Sequence, residues 1–374
     1  MARIVASAVR TCFGDGAATF GALLEGRSGV GPLRHVDAAS VNVTRAYHPA
    51  DDGPEPRYGA SRLLTSVVAR ALADAGVDAG TERVPVVVGT GLRELRAVER
   101  WAEGRDELEL HRLHFGPCLA ELGEGLGPVI TLSNACSASG HALALAQDLV
   151  DSGAAERVVA AGTDVMTASM LAMIGRVTPA PTTQVRPFDE NRTGVLLGEG
   201  AAAVVVAAGT AGPGETGLLA TGLCCDAHHE TAPDVAGMVR SMRDAFTRAG
   251  VGAEEVDLVV THGTGTEQND PAELRALRRV FSGPRRPVLT GVKGAVGHTS
   301  GAAALVNVDV AMRAMRAGRV PGVVGLREAI GEADGFRFAH PAEVPLPVRV
   351  AQVNAFGFGG VNAVTLLAAP EVAA

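Results

Sequence analysis

Apolar positions in this chain cluster into short continuous runs, and Ala-rich amphipathic stretches separate them. Residues 1–10 are apolar apart from Arg3, Ser7 and Arg10 and read as a strand. The runs VPVVVG (84–89), VITL (129–132) and VDLVV (256–260) are too short for helices and are bounded by Gly or Pro, so they predict buried strands. HALALAQDLV (141–150) and the Ala-rich stretch after His298 predict helices. Strands alternating with helices predict parallel pairing with helices on the sheet faces.

The pattern repeats. ALADAGV (71–77) leads into VPVVVGTG (84–91), and AFTRAGV (245–251) leads into VDLVVTHGTG (256–265). GPVITLSNACSASGHALALAQDLV (127–150) has the layout of RPVLTGVKGAVGHTSGAAALVNVDVAMRAM (286–315). GEGAAAVVV (198–206) pairs in the same way with GFGGVNAVTLL (357–367). Three matched pairs in the same order predict a duplicated α/β unit. The expectation is two βαβ-rich halves, 1–208 and 209–374, with mixed, mostly parallel sheets layered by helices (αβαβα).

Composition narrows the function. The chain has 374 residues, 47% hydrophobic and 20% charged, which suits a folded globular protein. Its formal net charge of -8 argues against nucleic-acid binding, which needs a basic face. No run is long and apolar enough to predict a membrane span, and the N-terminus does not read as a signal peptide. Five cysteines without regular spacing do not form a disulfide framework, and they suggest a reduced, cytoplasmic setting. The adjacent group Cys224, Cys225, His228 and His229 lacks the spacing of a zinc site, so no metal is expected. Lys293 is the one lysine in the sequence; every other basic chain is arginine.

Three residues carry candidate chemistry. Cys136 lies in SNACSASG (133–140), between a strand and a helix. At such a helix N-terminus, unpaired N–H groups and the dipole favour a thiolate. A buried, inert thiol is the competing reading. His262 directly follows VDLVV, and His298 precedes the last Ala-rich helix. Both histidines therefore sit at strand ends beside glycine turns, where α/β folds place their sites. The internal repeat puts Cys136 and His298 in corresponding turns, so a pseudo-twofold would bring them face to face.

With these residues in view, the chain resembles the β-ketoacyl synthases of the thiolase superfamily, of the Cys-His-His kind. The resemblance rests on NACSASG around Cys136, RPFDENRTGVLLGEGAA (186–202), DAHHETAPD (226–234), THGTGTEQND (261–270), GVKGAVGHTSGAA (291–303) and NAFGFGGVNA (354–363). The first 120 residues match only in layout. The resemblance implies a thiolase-like fold and a decarboxylative Claisen condensation in fatty acid or type II polyketide biosynthesis. Cys136 would carry the acyl group as a thioester. His262 and His298 would stabilise the enolate left when malonyl loses CO2, and Lys293 would organise them. The backbone N–H groups of Cys136 and Phe358 would form the oxyanion hole, with Phe358 also a gate. Thr264, Thr266 and Thr231 would contact the phosphopantetheine arm of an acyl carrier protein. No other cofactor is implied, and the chain would form a homodimer or pair with a chain-length-factor-like subunit. Arg57, Arg62, Arg93 and Arg96 are candidates for carrier docking.

Two positions depart from the family pattern. Asn134 stands where threonine is common, and Asn307 stands where the family usually has a glutamate near the lysine. Asn307 keeps open a ketosynthase-like acyltransferase that transfers without decarboxylation. A non-catalytic chain-length partner is the third reading, and the presence of Cys136 speaks against it. A degradative thiolase would need a second, late cysteine, whereas the last one here is Cys225.

Overall fold

The computed structural model describes residues 1–50, 53–177, 180–340, 342–370 and 372. The strands that build its main sheet are β1 (Ala2–Arg10), β2 (Val84–Gly89), β3 (Leu126–Leu132), β4 (Arg157–Asp164), β5 (Gly200–Ala208), β6 (Thr216–Cys225), β7 (Leu258–Val260), β8 (Val288–Thr290), β9 (Arg337–Phe338), β10 (Val350–Gly357) and β11 (Val361–Ala368). The helices that position the site are α1 (Gly59–Asp74), α2 (Leu95–Ala102), α3 (Ala138–Asp151), α4 (Ala168–Val177), α5 (Val235–Ala249), α6 (Asn269–Val280), α7 (Lys293–Val296) and α8 (Ala303–Ala317).

The 11 strands form one mixed sheet in the order β9-β8-β7-β10-β11-β6-β1-β5-β4-β2-β3. On one wing β2 runs parallel to both β3 and β4. On the other, β7 runs parallel to β8 and β10. Around the centre the pairing is antiparallel, through β4–β5, β5–β1, β1–β6, β6–β11 and β11–β10. The centre is narrow: β1 meets β6 only over Ala2–Ile4 against Thr216–Leu218. Each wing is thus drawn from one part of the chain, and in each the order outward from the centre follows the same pattern.

Three helix layers and the two wings of the sheet make five layers. α1 covers β1, β4 and β5 on one outer face, and α5 covers β6 and β11 on the other. Between the wings lie α3, packed on β2 and β4, and α8, packed on β7 and β10, in contact with each other. Ser139 and Leu305 join these central helices, the Leu305 N–H donating to Ser139 Oγ at 3.3 Å. Strands covered on both faces lose their alternation, which is why β5 reads AAAVVV and buries every residue from Gly200 to Ala207. Among the described residues no helix is long and apolar enough to cross a membrane.

This architecture gathers the C-terminal ends of β2, β3 and β4 with those of β7, β8 and β10 around the N-termini of α3 and α8. The segments that follow these strands hold Cys136, His262 and His298.

Candidate active site

Cys136 sits in a 3₁₀ turn, Ala135–Ser137, between β3 and α3. Ala135 adopts a left-handed conformation (φ 49°), which puts Cys136 at a sharp elbow. The Ser137 hydroxyl donates to the Val361 carbonyl at 2.8 Å and ties the elbow to β11. Cys136 is partly exposed, yet atoms packed around the sulfur desolvate it and push its pKa up to about 11. Lys293 and the backbone N–H groups of Phe358 and Cys136 pull the other way without overcoming burial. The expectation of a resting thiolate is therefore corrected: an elbow made of one short turn offers less than the loss of water costs, and the sulfur rests as a thiol.

His298 follows Gly297, whose backbone is left-handed (φ 71°) and which leaves no room for a side chain, since a β-carbon there would lie 2.4 Å from the Tyr47 ring. The segment 196–198 grips the His298 backbone. The His298 N–H donates to the Leu196 carbonyl, and the Gly198 N–H donates to the His298 carbonyl, both at 2.9 Å. The Ser300 N–H donates to His298 Nδ1 at 3.2 Å, so Nδ1 is an acceptor and Nε2 carries the proton.

His262 is 3% exposed, and its ring lies edge-on to that of His298 with centroids 5.4 Å apart. The Lys293 ammonium donates to the His262 carbonyl and lies 3.4 Å from Nδ1. An ammonium has no lone pair, so Nδ1 is again the acceptor and Nε2 the donor. Burial, with the Lys293 charge second, holds both imidazoles well below their ordinary pKa. The site thus contains two neutral rings with Nε2–H groups, which can stabilise a developing oxyanion without protonating a carbanion.

Lys293 itself is 1% exposed, and burial pushes its pKa down against the opposing charge of Glu273. Glu273 is fully buried on α6 and takes the N–H groups of His262 and Gly263 at 2.8 and 2.9 Å and the Asn354 amide at 2.9 Å. One turn earlier, Asp270 accepts from the N–H groups of Thr264 and Phe188 at 3.0 and 2.7 Å. Sequence reasoning passed over both acids. Their signal was the i, i+3 pair in NDPAE, two charges on the inward face of a helix.

Asn307 donates to the Thr261 carbonyl at 3.1 Å and leaves its Oδ1 buried without a partner. It holds the end of β7 just before His262, and the carboxylate opposite Lys293 is supplied by Glu273. Asn134 lies at the elbow, its carbonyl 3.1 Å from Ser137 Oγ.

Phe358 is 46% exposed and lies between Gly357 and Gly359, the latter left-handed at φ 80°. Its N–H faces the Cys136 sulfur, and the neighbouring Phe356 ring packs 5.9 Å from that of His262. Thr264 and Thr266 hydrogen bond to each other through their hydroxyls at 2.9 Å. Thr231 lies outside this cluster, on an exposed turn braced by His229 Nδ1. Arg96 is 4% exposed and fully engaged by Glu55, Glu99 and Glu103, so it presents no charge to a docking partner. Among the described residues no group of three or more His, Cys, Asp or Glu side chains is placed to hold a metal ion.

Two family descriptions match this chain: the N-terminal domain of β-ketoacyl synthases over residues 58–211, and their C-terminal domain over residues 218–327. The chain belongs to the β-ketoacyl synthase family. Nodulation protein E of Rhizobium meliloti is 36% identical over 258 residues, 66% of this chain and 63% of that protein. The alignment with this relative therefore spans less than two thirds of its length. The chloroplastic 3-oxoacyl-[acyl-carrier-protein] synthase I of Hordeum vulgare is 28% identical over 412 residues, covering 98% of this chain and 88% of the plant protein. Among solved structures, the ishigamide ketosynthase/chain length factor superposes with a TM-score of 0.86 at 28% identity, over 98% of both chains. A β-ketoacyl synthase from Burkholderia phymatum shares the fold, with a TM-score of 0.85 at 22% identity.

Proposed function

We propose that this synthase condenses an acyl thioester held on Cys136 with a malonyl thioester delivered by an acyl carrier protein. The observation that carries the reading is the pair of neutral imidazoles whose Nε2–H donors are fixed by Lys293 and by the Ser300 N–H. In the first half-reaction the thiol gives up its proton and attacks the acyl carbonyl, and the tetrahedral oxyanion is held by the N–H groups of Cys136 and Phe358. The pantetheine thiolate leaves and takes a proton. In the second, malonyl loses CO2, and the enolate oxygen is stabilised by His262 and His298. The enolate carbon attacks the Cys136 thioester, and the sulfur departs to be reprotonated.

The same reading gives Thr264 and Thr266 the role of lining the pantetheine entrance, with Thr231 at its outer edge, and Phe358 that of a gate. The active centre lies where the halves 1–208 and 209–374 meet. No metal is required, and the reaction suits the cytoplasm. A subunit of the same fold, a second copy or a chain-length-factor-like chain, would cover the open edge of β3. A decarboxylation-free acyltransferase is disfavoured because Asn307 leaves Lys293, Glu273 and both imidazoles in place.

The test separates the half-reactions. Incubation with an acyl-carrier thioester adds one acyl mass to the peptide containing Cys136. His298→Ala keeps that acylation and abolishes CO2 release from malonyl thioester. Acyl mass on Cys224 or Cys225 in place of Cys136, or normal condensation by His298→Ala, overturns the proposal.

A further inference from the structure

A buried carboxylate outside the set above connects the two turns that hold Cys136 and His298. Asp164 ends β4 and is 1% exposed. Its Oδ1 accepts from the Thr90 hydroxyl at 2.7 Å and the Leu92 N–H at 2.9 Å. Its Oδ2 accepts from the Gly91 N–H at 2.8 Å and the Gly301 N–H at 2.6 Å. Thr90 Oγ1 already accepts the Arg93 N–H, so its own hydrogen goes to Asp164. All four partners are donors, and they satisfy a carboxylate in a place where an unpaired one would be very costly.

The position of these donors is informative. The turn Ser300–Ala302 before α8 copies the turn Ala135–Ser137 before α3, down to the left-handed first residue, φ 48° at Ser300 and 49° at Ala135. Gly301 is therefore the counterpart of Cys136. At Cys136 the N–H faces the sulfur. At Gly301 the equivalent N–H is occupied from within by Asp164. Two further close approaches lock the assembly. A β-carbon on Gly91 would come within 2.7 Å of Ser300 Oγ and 3.8 Å of the Ala135 Cα. A β-carbon on Gly301 would lie 2.5 Å from the Thr90 Cα.

We infer that Asp164 is a positioning residue for the condensation: it fills the second half's copy of the oxyanion hole and thereby sets the distance between the nucleophile elbow and His298. The path is short. Asp164 holds Gly301, Gly301 holds Ser300, and the Ser300 N–H fixes the His298 tautomer. The loop 90–92, gripped by the same carboxylate, packs between the elbow and that turn. This inference rests on the proposed roles of Cys136 and His298.

Asp164→Asn places an amide group against two of the four donors and removes the charge. Displacing a catalytic group by about 1 Å can cost about 100-fold. The variant should lose CO2 release from malonyl pantetheine thioester by about that factor, while acyl transfer to Cys136 is far less affected. A second readout is the pH dependence of Cys136 alkylation by iodoacetamide. Lys293 and the N–H groups of Phe358 and Cys136 lower the pKa of this buried thiol, and the Asp164 charge raises it. Removing the Asp164 charge shifts the alkylation midpoint to lower pH. Gly91→Ala serves where Asp164→Asn fails to fold: its β-carbon would meet Ser300 Oγ at 2.7 Å and Asp164 Oδ2 at 3.2 Å, loosening the same assembly while the charge remains, and it should show the same imbalance between half-reactions. Unchanged CO2 release, or an equal loss in both half-reactions, in the folded variant overturns the inference. Wild-type protein that neither takes an acyl group nor releases CO2 would instead overturn the synthase reading.

Discussion

Burial sets protonation in the site, and Lys293 is the second influence, the buried cation shared by His262, His298 and Cys136. The imidazoles are held neutral far below pH 6.5, so acidification through 6.5 should leave CO2 release flat. The lysine's pKa is pushed down from 10.5, so the ammonium is lost at lower pH than in an exposed lysine. In the proposed mechanism this charge holds the imidazole donors in place, so CO2 release should fall on an alkaline limb centred below 10.5. A pH–rate profile of malonyl decarboxylation checks both signs. An acid limb near 6.5 would mean that an imidazole titrates freely, contrary to its burial. Lys293 and the two histidines were legible as candidates from their motifs. The tautomers were not, because they depend on Ser300 and on the Lys293 ammonium reaching Nδ1. Asn307 stood out as a departure, but its partner, the Thr261 carbonyl, belongs to another element.

At the scale of elements, the first turn of α1 illustrates a buried acid at a helix N-terminus. Glu94, just before α2, is 1% exposed and accepts the Ser61 N–H at 2.6 Å, while its Oε2 has no partner. Burial raises its pKa to about 7 despite the donors of α1. A carboxyl whose folded pKa lies above its unfolded value contributes stability below the unfolded pKa and loses that contribution as pH rises through the folded one. Glu94→Gln should therefore be more stable than wild type at pH 8, by up to about 3 kcal/mol, and the gap should shrink towards pH 5. Urea denaturation at the two pH values measures this. A less stable variant at pH 8 would show that the helix needs the charge. In this region the strand β2 followed from its short apolar run. The burial of Glu94 did not, because a glutamate in the polar string LRELRAVER reads as solvated until α1 is placed over it.

For the whole molecule, the sheet leaves one long free edge. β3 pairs with β2 on one side only, and Val129, Ile130 and Leu132 are half-buried there. The opposite end of the sheet closes with the two-residue β9. Long apolar edges pair with other chains unless covered. The expected outcome is that the chain assembles through β3 and that Ile130→Lys shifts it to monomer in light scattering, with acylation of Cys136 by small thioesters retained. Assembly unaffected by that substitution would place the interface elsewhere.

The order of apolar runs, the repeated layout and the small-residue turns were enough to identify an α/β chain and to single out Cys136, His262 and His298, because local periodicity and turn chemistry are written in neighbouring residues; Lys293 stood out as the one lysine of the sequence. The ionisation of the sulfur, the burial of Glu273 and Asp164, and the grip of Asp164 on Gly301 were decided only by folding. Desolvation and hydrogen-bond supply depend on which backbone donors arrive at a side chain from elsewhere in the sequence, as the Gly301 N–H reaches Asp164 and the Phe358 N–H reaches the Cys136 sulfur.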